Sequence, residues 1–191
     1  MYRYYCLFLV CISVIMNTAC NNQHSGSPQP IGYSFPDDWL GHWSGDLNIY
    51  NKDGLNMELK VELELAPMSS DSLYPWSLRY ISEERTDERN YYLKKGGQQE
   101  NHWIVDENNS IYLDGYVLDN TFYVLFEVGN NRIQTSYRLS GDNLIFENLA
   151  SRVEKVDSSG GLIIDSIPIP LVNSFLVTNL QTATLNRKEY K

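Results

Sequence analysis

From Met57 to Leu65 the chain reads Met-Glu-Leu-Lys-Val-Glu-Leu-Glu-Leu, with five apolar side chains on one face and four charged ones on the other. Period two over such a run predicts a strand with one wet face. The same alternation recurs at Trp43/Gly45/Leu47/Ile49, Trp76/Leu78/Tyr80, Ile111/Leu113/Gly115/Val117, Phe122/Val124/Phe126/Val128 and Ile133/Thr135/Tyr137/Leu139, and helical spacing is nearly absent. Turn-forming groups separate these runs, among them Asn51 to Gly54, Lys95 to Gly97, Asp106 to Asn109, Asp119-Asn120, Gly129 to Asn131, Ser140 to Asn143 and Ser158 to Gly161. About eight to ten strands joined in sequence by tight turns form an antiparallel meander, and a sheet of that length tends to curl and close so that no edge stays exposed. The expected fold is all-β, an up-and-down barrel. Pro168 and Pro170 cannot both donate to a central ladder and mark an edge or a bent approach to the last strands. Phe175 to Arg187 is expected to supply the closing pair.

The first twenty residues follow a different pattern. Arg3 precedes an apolar run, Tyr4 to Met16, that ends in Asn17-Thr18-Ala19-Cys20. Thirteen residues of helix reach roughly 20 Å, short of the roughly 30 Å hydrocarbon core, so a stable transmembrane anchor is not expected. One basic residue, a short apolar stretch and small residues before a cut describe a secretory signal, residues 1–19. Three fates are open to Cys20: lipidation, ordinary cleavage beside it, and retention of the signal. Cys6 and Cys11 would leave with the signal, so the exported chain keeps one thiol and no internal disulfide, which favours lipidation.

Residues 20–36 are rich in Pro, Gly and Ser and read as a lipidated N-terminus and flexible tether of about 20 Å reach. Residues 37–191 are the size of one domain. The whole chain has 15 basic and 24 acidic side chains; the signal removes only Arg3, leaving 14 against 24 and a formal charge of -10. Such a surface repels nucleic acid and anionic headgroups, and no basic stripe offsets it.

Residues Thr18-Ala19-Cys20 resemble the bacterial lipobox, with Asn17 where that pattern usually has Leu; the resemblance implies a lipid anchor at Cys20, as palmitate or a similar acyl chain, and a place in the bacterial cell envelope. Asn21 is not the Asp that resembles an inner-membrane retention signal, which points to the outer membrane. Trp39-Leu40-Gly41-His42-Trp43-Ser44-Gly45 resembles the opening of lipocalin-like, or calycin, barrels, whose first strand begins with Gly-x-Trp. Arg187 sits near the end of the last strand, where in lipocalins a basic residue commonly packs over that Trp. The resemblance therefore implies structural roles for Gly41, Trp43 and Arg187. Gly41 to Gly45 resembles nitrobindin-like haem barrels more loosely, and the domain as a whole is similar to an uncharacterised group of lipocalin-like bacterial lipoproteins.

Candidate chemistry is sparse. His42 and His102 alternate with Trp43 and Trp103, so both histidines are expected on the outside, where neither could ligate haem in the lumen. No metal set is expected. Asp106 to Ser110 lacks the Gly and the closing Glu of a calcium loop, with Ile111 and Val117 in those places. Glu83 to Arg89 mixes charges between strands and reads as a solvated turn rather than a catalytic acid pair. No nucleophile elbow, phosphate loop or metal-hydrolase motif is present. No catalytic residue and no cofactor is therefore assigned. The inward set Trp43, Trp76, Tyr80, Trp103, Phe122, Phe126 and Tyr137 either lines an apolar lumen or fills it. The expected function is that of an envelope lipoprotein whose barrel binds a small apolar ligand. The alternative is a filled barrel that docks an envelope partner, with neither ligand nor catalysis.

Overall fold

The computed structural model describes residues 32–97 and 99–188. The expected signal, Cys20 and most of the tether lie outside the described residues. The chain is all-β, about 70% strand. Its strands are β1 (Gly41–Asn51), β2 (Gly54–Leu65), β3 (Tyr74–Ile81), β4 (Thr86–Lys95), β5 (His102–Asp106), β6 (Tyr112–Leu118), β7 (Thr121–Val128), β8 (Asn131–Ser140), β9 (Asn143–Ser159), β10 (Ile163–Ile164), β11 (Ile167–Pro168) and β12 (Val172–Lys188). Strands β1 to β9 pair in sequence, and β12 lies antiparallel between β9 and β1, closing a ten-stranded barrel; β10 and β11 form a separate two-stranded hairpin.

Local chemistry sets the register. Val128 pairs with Asn131 and Ser140 with Asn143, leaving two-residue loops that begin with Gly129 and Gly141. Both glycines have positive φ, 57° and 58°, a conformation other residues reach only under strain. With register fixed at the turns, period two sends one set of side chains inward on every strand. Leu47, Val61, Leu63, Leu78, Leu93, Val124, Leu144 and Leu185 thus meet in a single core.

Two expectations are corrected here. Phe175 to Arg187 is not a closing pair of strands but part of one strand, β12, whose partner is the equally long β9. Glu83 to Arg89 is not wholly a turn, because β4 begins at Thr86 and carries Asp87 and Arg89 in its ladder with β3. The sequence pattern hid β4 because its inward face starts polar and turns apolar only at Leu93.

Candidate functional site

One end of the barrel is plugged by the segment before β1. A 3₁₀ turn at Asp37–Trp39 carries Trp39 into the barrel end, where its indole donates to the Tyr137 carbonyl at 3.3 Å. Trp43 in turn donates to the Trp39 carbonyl at 2.9 Å. Phe35, inside the segment read as a tether, stacks on Phe122 at 4.8 Å and meets Trp39 and Trp103 edge-on. The packed part of the chain therefore begins upstream of Asp37, since the barrel end supplies the aromatic partners that a tether lacks. From β12, Arg187 donates to the carbonyls of Leu40, at 2.5 Å, and Asp38, at 2.8 Å, and its guanidinium carbon lies 4.1 Å from the Trp43 ring centre. Gly41 opens β1 at φ 128°, and a Cβ there would stand 3.1 Å from the same guanidinium.

The inward aromatics divide by height in the barrel. Trp43, Trp76, Trp103, Phe122 and Tyr137 are buried in the core that includes the plug. Tyr80 and Phe126 stand higher, on the wall of an open cavity of about 1330 Å³ lined also by Ile49, Leu59, Ile133, Asn148 and Gln181. A narrower space of about 90 Å³ reaches toward the base between Trp76, Tyr91, Val105, Leu113 and Tyr137. Beside it the Trp76 indole N–H is buried with no hydrogen-bond partner in the protein. Ten strands close around a ring wider than the plug can fill, so one half is core and the other is hollow.

The charged groups of the mouth are those the sequence pattern passed over. Tyr91, Arg89 and Asp87 climb one face of β4 toward the rim. Arg89 donates twice to one Asp87 oxygen, at 3.0 and 3.2 Å, and sits 5.0 Å from the Tyr80 ring centre. Burial pushes the Tyr80 phenol up to about 12, against the pull of Arg89. Burial also raises Tyr91, and raises Tyr137 well above the ordinary phenol value. All three phenols are therefore neutral at ordinary pH, able to give as well as accept a hydrogen bond. On β8 and β9 the Asn148 amide donates to the Thr135 hydroxyl at 3.0 Å. Asp46, Glu58, Glu83, Glu84 and Asp87 outnumber Lys60, Arg85 and Arg89 around the cavity, which makes the mouth acidic on balance. The run Asp87/Arg89/Tyr91/Leu93 at period two was the available signal for this wall.

Neither histidine reaches the lumen. His42 pairs with Glu64 at 2.9 Å on the outer face. His102 also points away from Trp103 but is buried, 3% exposed, with its ring 2.7 Å from Asp114 and stacked on Tyr116. The expectation of a solvent-facing His102 is thus corrected: the turn at Gly96 covers it. The described residues hold no group of three or more His, Cys, Asp or Glu arranged to bind a metal.

Fold and cavity together define a closed antiparallel β-barrel, consistent with a calycin-like fold, hollow at one end and plugged at the other. No protein-family model, curated protein or solved structure matches the chain.

Proposed function

We propose that the chain is a lipid-anchored envelope lipoprotein whose lipocalin-like barrel carries a small, mostly apolar molecule in its open half. The carrying observation is the cavity of about 1330 Å³, a size that exceeds the usual span of small-molecule sites and leaves room for one ligand with solvent at the rim. Ile49, Leu59, Phe126 and Ile133 would take its apolar body. Arg89, Asp87, Asn148 and Gln181 would meet a polar end, and the acidic rim favours a neutral or cationic group there over an anionic one. The unpartnered Trp76 indole offers a donor at the floor. Attachment rests on the sequence alone, on Cys20 behind its short apolar segment.

The binding test is titration with N-phenylnaphthylamine, a neutral apolar fluorophore. Uptake with a blue shift is expected. Leu59→Arg, placed where the wall already borders water, is expected to weaken uptake at least tenfold without changing the β-sheet circular dichroism. A parent chain that leaves the dye in water would overturn the carrier reading and favour a partner-docking barrel. For the anchor, the mature chain's intact mass should exceed that of residues 20–191 by an acylated glyceryl group, and Cys20→Ser should abolish the increment.

A further inference from the structure

Strands β9 and β12 outrun the barrel. The last β9 residue paired with β8 is Arg152, and the first β12 residue paired with β1 is Leu180. Beyond these points the two strands pair only with each other, and they continue through Gly161 and Ile169 into the β10–β11 hairpin, which turns at Asp165-Ser166. At the root, Arg132 of β8 lies 5.0 Å from the Phe175 ring centre. The result is an arm that leaves the barrel at its open end.

The arm is apolar and uncovered. Leu162, Ile163, Ile164, Ile167, Leu171 and Val172 are all more than half exposed. From Ser158 to Val177 the only charged side chain is Asp165, at the tip. Counting its root, the arm shows water on the order of 1,000 Å² of apolar surface, more than the roughly 800 Å² that one partner gives to a stable interface. A lone two-stranded ribbon is also marginal by itself in water.

The hairpin's two edges differ. The Ile169 N–H donates across to the Leu162 carbonyl at 2.8 Å, so Ile169 faces its partner strand and Pro168, opposite Ile163, faces outward, while the Pro170 carbonyl lies against Gly160. Pro168 and Pro170 both lack an N–H, so neither can donate to a strand added at that edge. On the other edge Ile163 lies opposite Pro168, between residues that face inward, so its N–H and C=O both point out. One edge is shut and one is open.

We propose that the open edge pairs with its own counterpart on a second copy of this chain, antiparallel, with the two Ile163 residues opposite each other about a two-fold axis. A residue whose N–H and C=O both point outward is self-complementary in that arrangement, exchanging both hydrogen bonds with its twin. The prolines leave the far edge of each hairpin without a donor at Pro168 and Pro170, so no further hairpin adds at that edge. Lipid fits less well: the carboxylate of Asp165 leads the tip, and an unpaired strand edge in hydrocarbon costs several kcal/mol. The acidic barrels repel one another, which suits contact through an arm that holds them apart.

The test measures the mass of the whole chain in mild detergent by light scattering, with the detergent subtracted. The parent should be a dimer, and both Ile163→Pro, which removes the outward N–H, and Ile163→Asp should halve the mass. Pro168→Val reopens the second edge and should yield larger assemblies. Ile163→Cys should give a disulfide-linked dimer on oxidation, beyond any formed by the parent. A monomeric parent overturns the proposal, as does a dimer that survives Ile163→Pro. Arm-dependent retention of a monomer on phosphatidylcholine vesicles overturns it too, assigning the arm to lipid.

Discussion

At Gly96 the chain passes so close to the His102 ring that a Cβ would stand 2.2 Å from Nδ1. The ring has little freedom to yield, held as it is by Asp114 and by its stack on Tyr116. Gly96→Ala is therefore expected to cost about 1–3 kcal/mol, the range for overpacking a fixed site, read as a lower chemical-denaturation midpoint at unchanged slope. His102 also marks where residue-level reading stops. Alternation with Trp103 placed the imidazole on the outer side of the wall, and it is there. What alternation cannot carry is cover from another segment, and the turn that buries His102 is non-local to the strand pattern. The seven inward aromatics were legible by the same parity. Their sorting into a packed base and an open mouth was not, because height in the barrel depends on where Phe35 and Trp39 insert.

At the scale of elements, the strands that announced themselves were those with an apolar inner face. β2, β7 and β8 alternate cleanly, whereas β4 brings Asp87 and Arg89 inward and reads locally as a charged loop. A wall that must meet both water and ligand weakens the pattern used to find it. The end of β12 is legible for a different reason, since Arg187 answers a Trp at the other end of the domain. Its fork holds the carbonyls of Asp38 and Leu40 and fixes the plug to the closing strand. Arg187→Ala should lower stability by about 1.5–3 kcal/mol, the range for hydrogen bonds to a charged group, and change the indole emission of Trp43. Arg187→Lys should recover only part of this, because an ammonium lacks the planar two-pronged donor.

For the molecule as a whole, the buried phenols set a limit on the alkaline side. Unfolded tyrosines ionise near pH 10, while Tyr80 in the fold holds its proton to about 12, with Tyr91 and Tyr137 also raised. Between these values the folded chain binds more protons than the unfolded one, so stability falls as pH rises. Tyr80's contribution is complete below pH 10 and lost as the pH passes about 12. Denaturation midpoints should hold steady up to pH 10 and then drop. Tyr80→Phe should flatten part of that drop, and tyrosinate absorbance should show phenols that titrate only with unfolding.

The seam between β1 and β12 joins Trp43 to Arg187 and Tyr50 to Leu180, the first strand of the barrel to the last. Every other neighbouring pair in the barrel except β9 with β12 is a simple hairpin that can form as soon as its second strand exists. The seam instead waits for nearly the whole domain, and its loop-closure entropy is met in one late step, as expected for a fold of high contact order. Until then β1 is an exposed edge, open to the wrong partner. Joining the start of β1 to the end of β12 and cutting at the Lys52-Asp53 turn would place that pairing within one hairpin and hand the late closure to β1 and β2 instead. A closed barrel keeps one such seam wherever its chain is cut, so permutation moves the exposed edge from strand to strand without removing it.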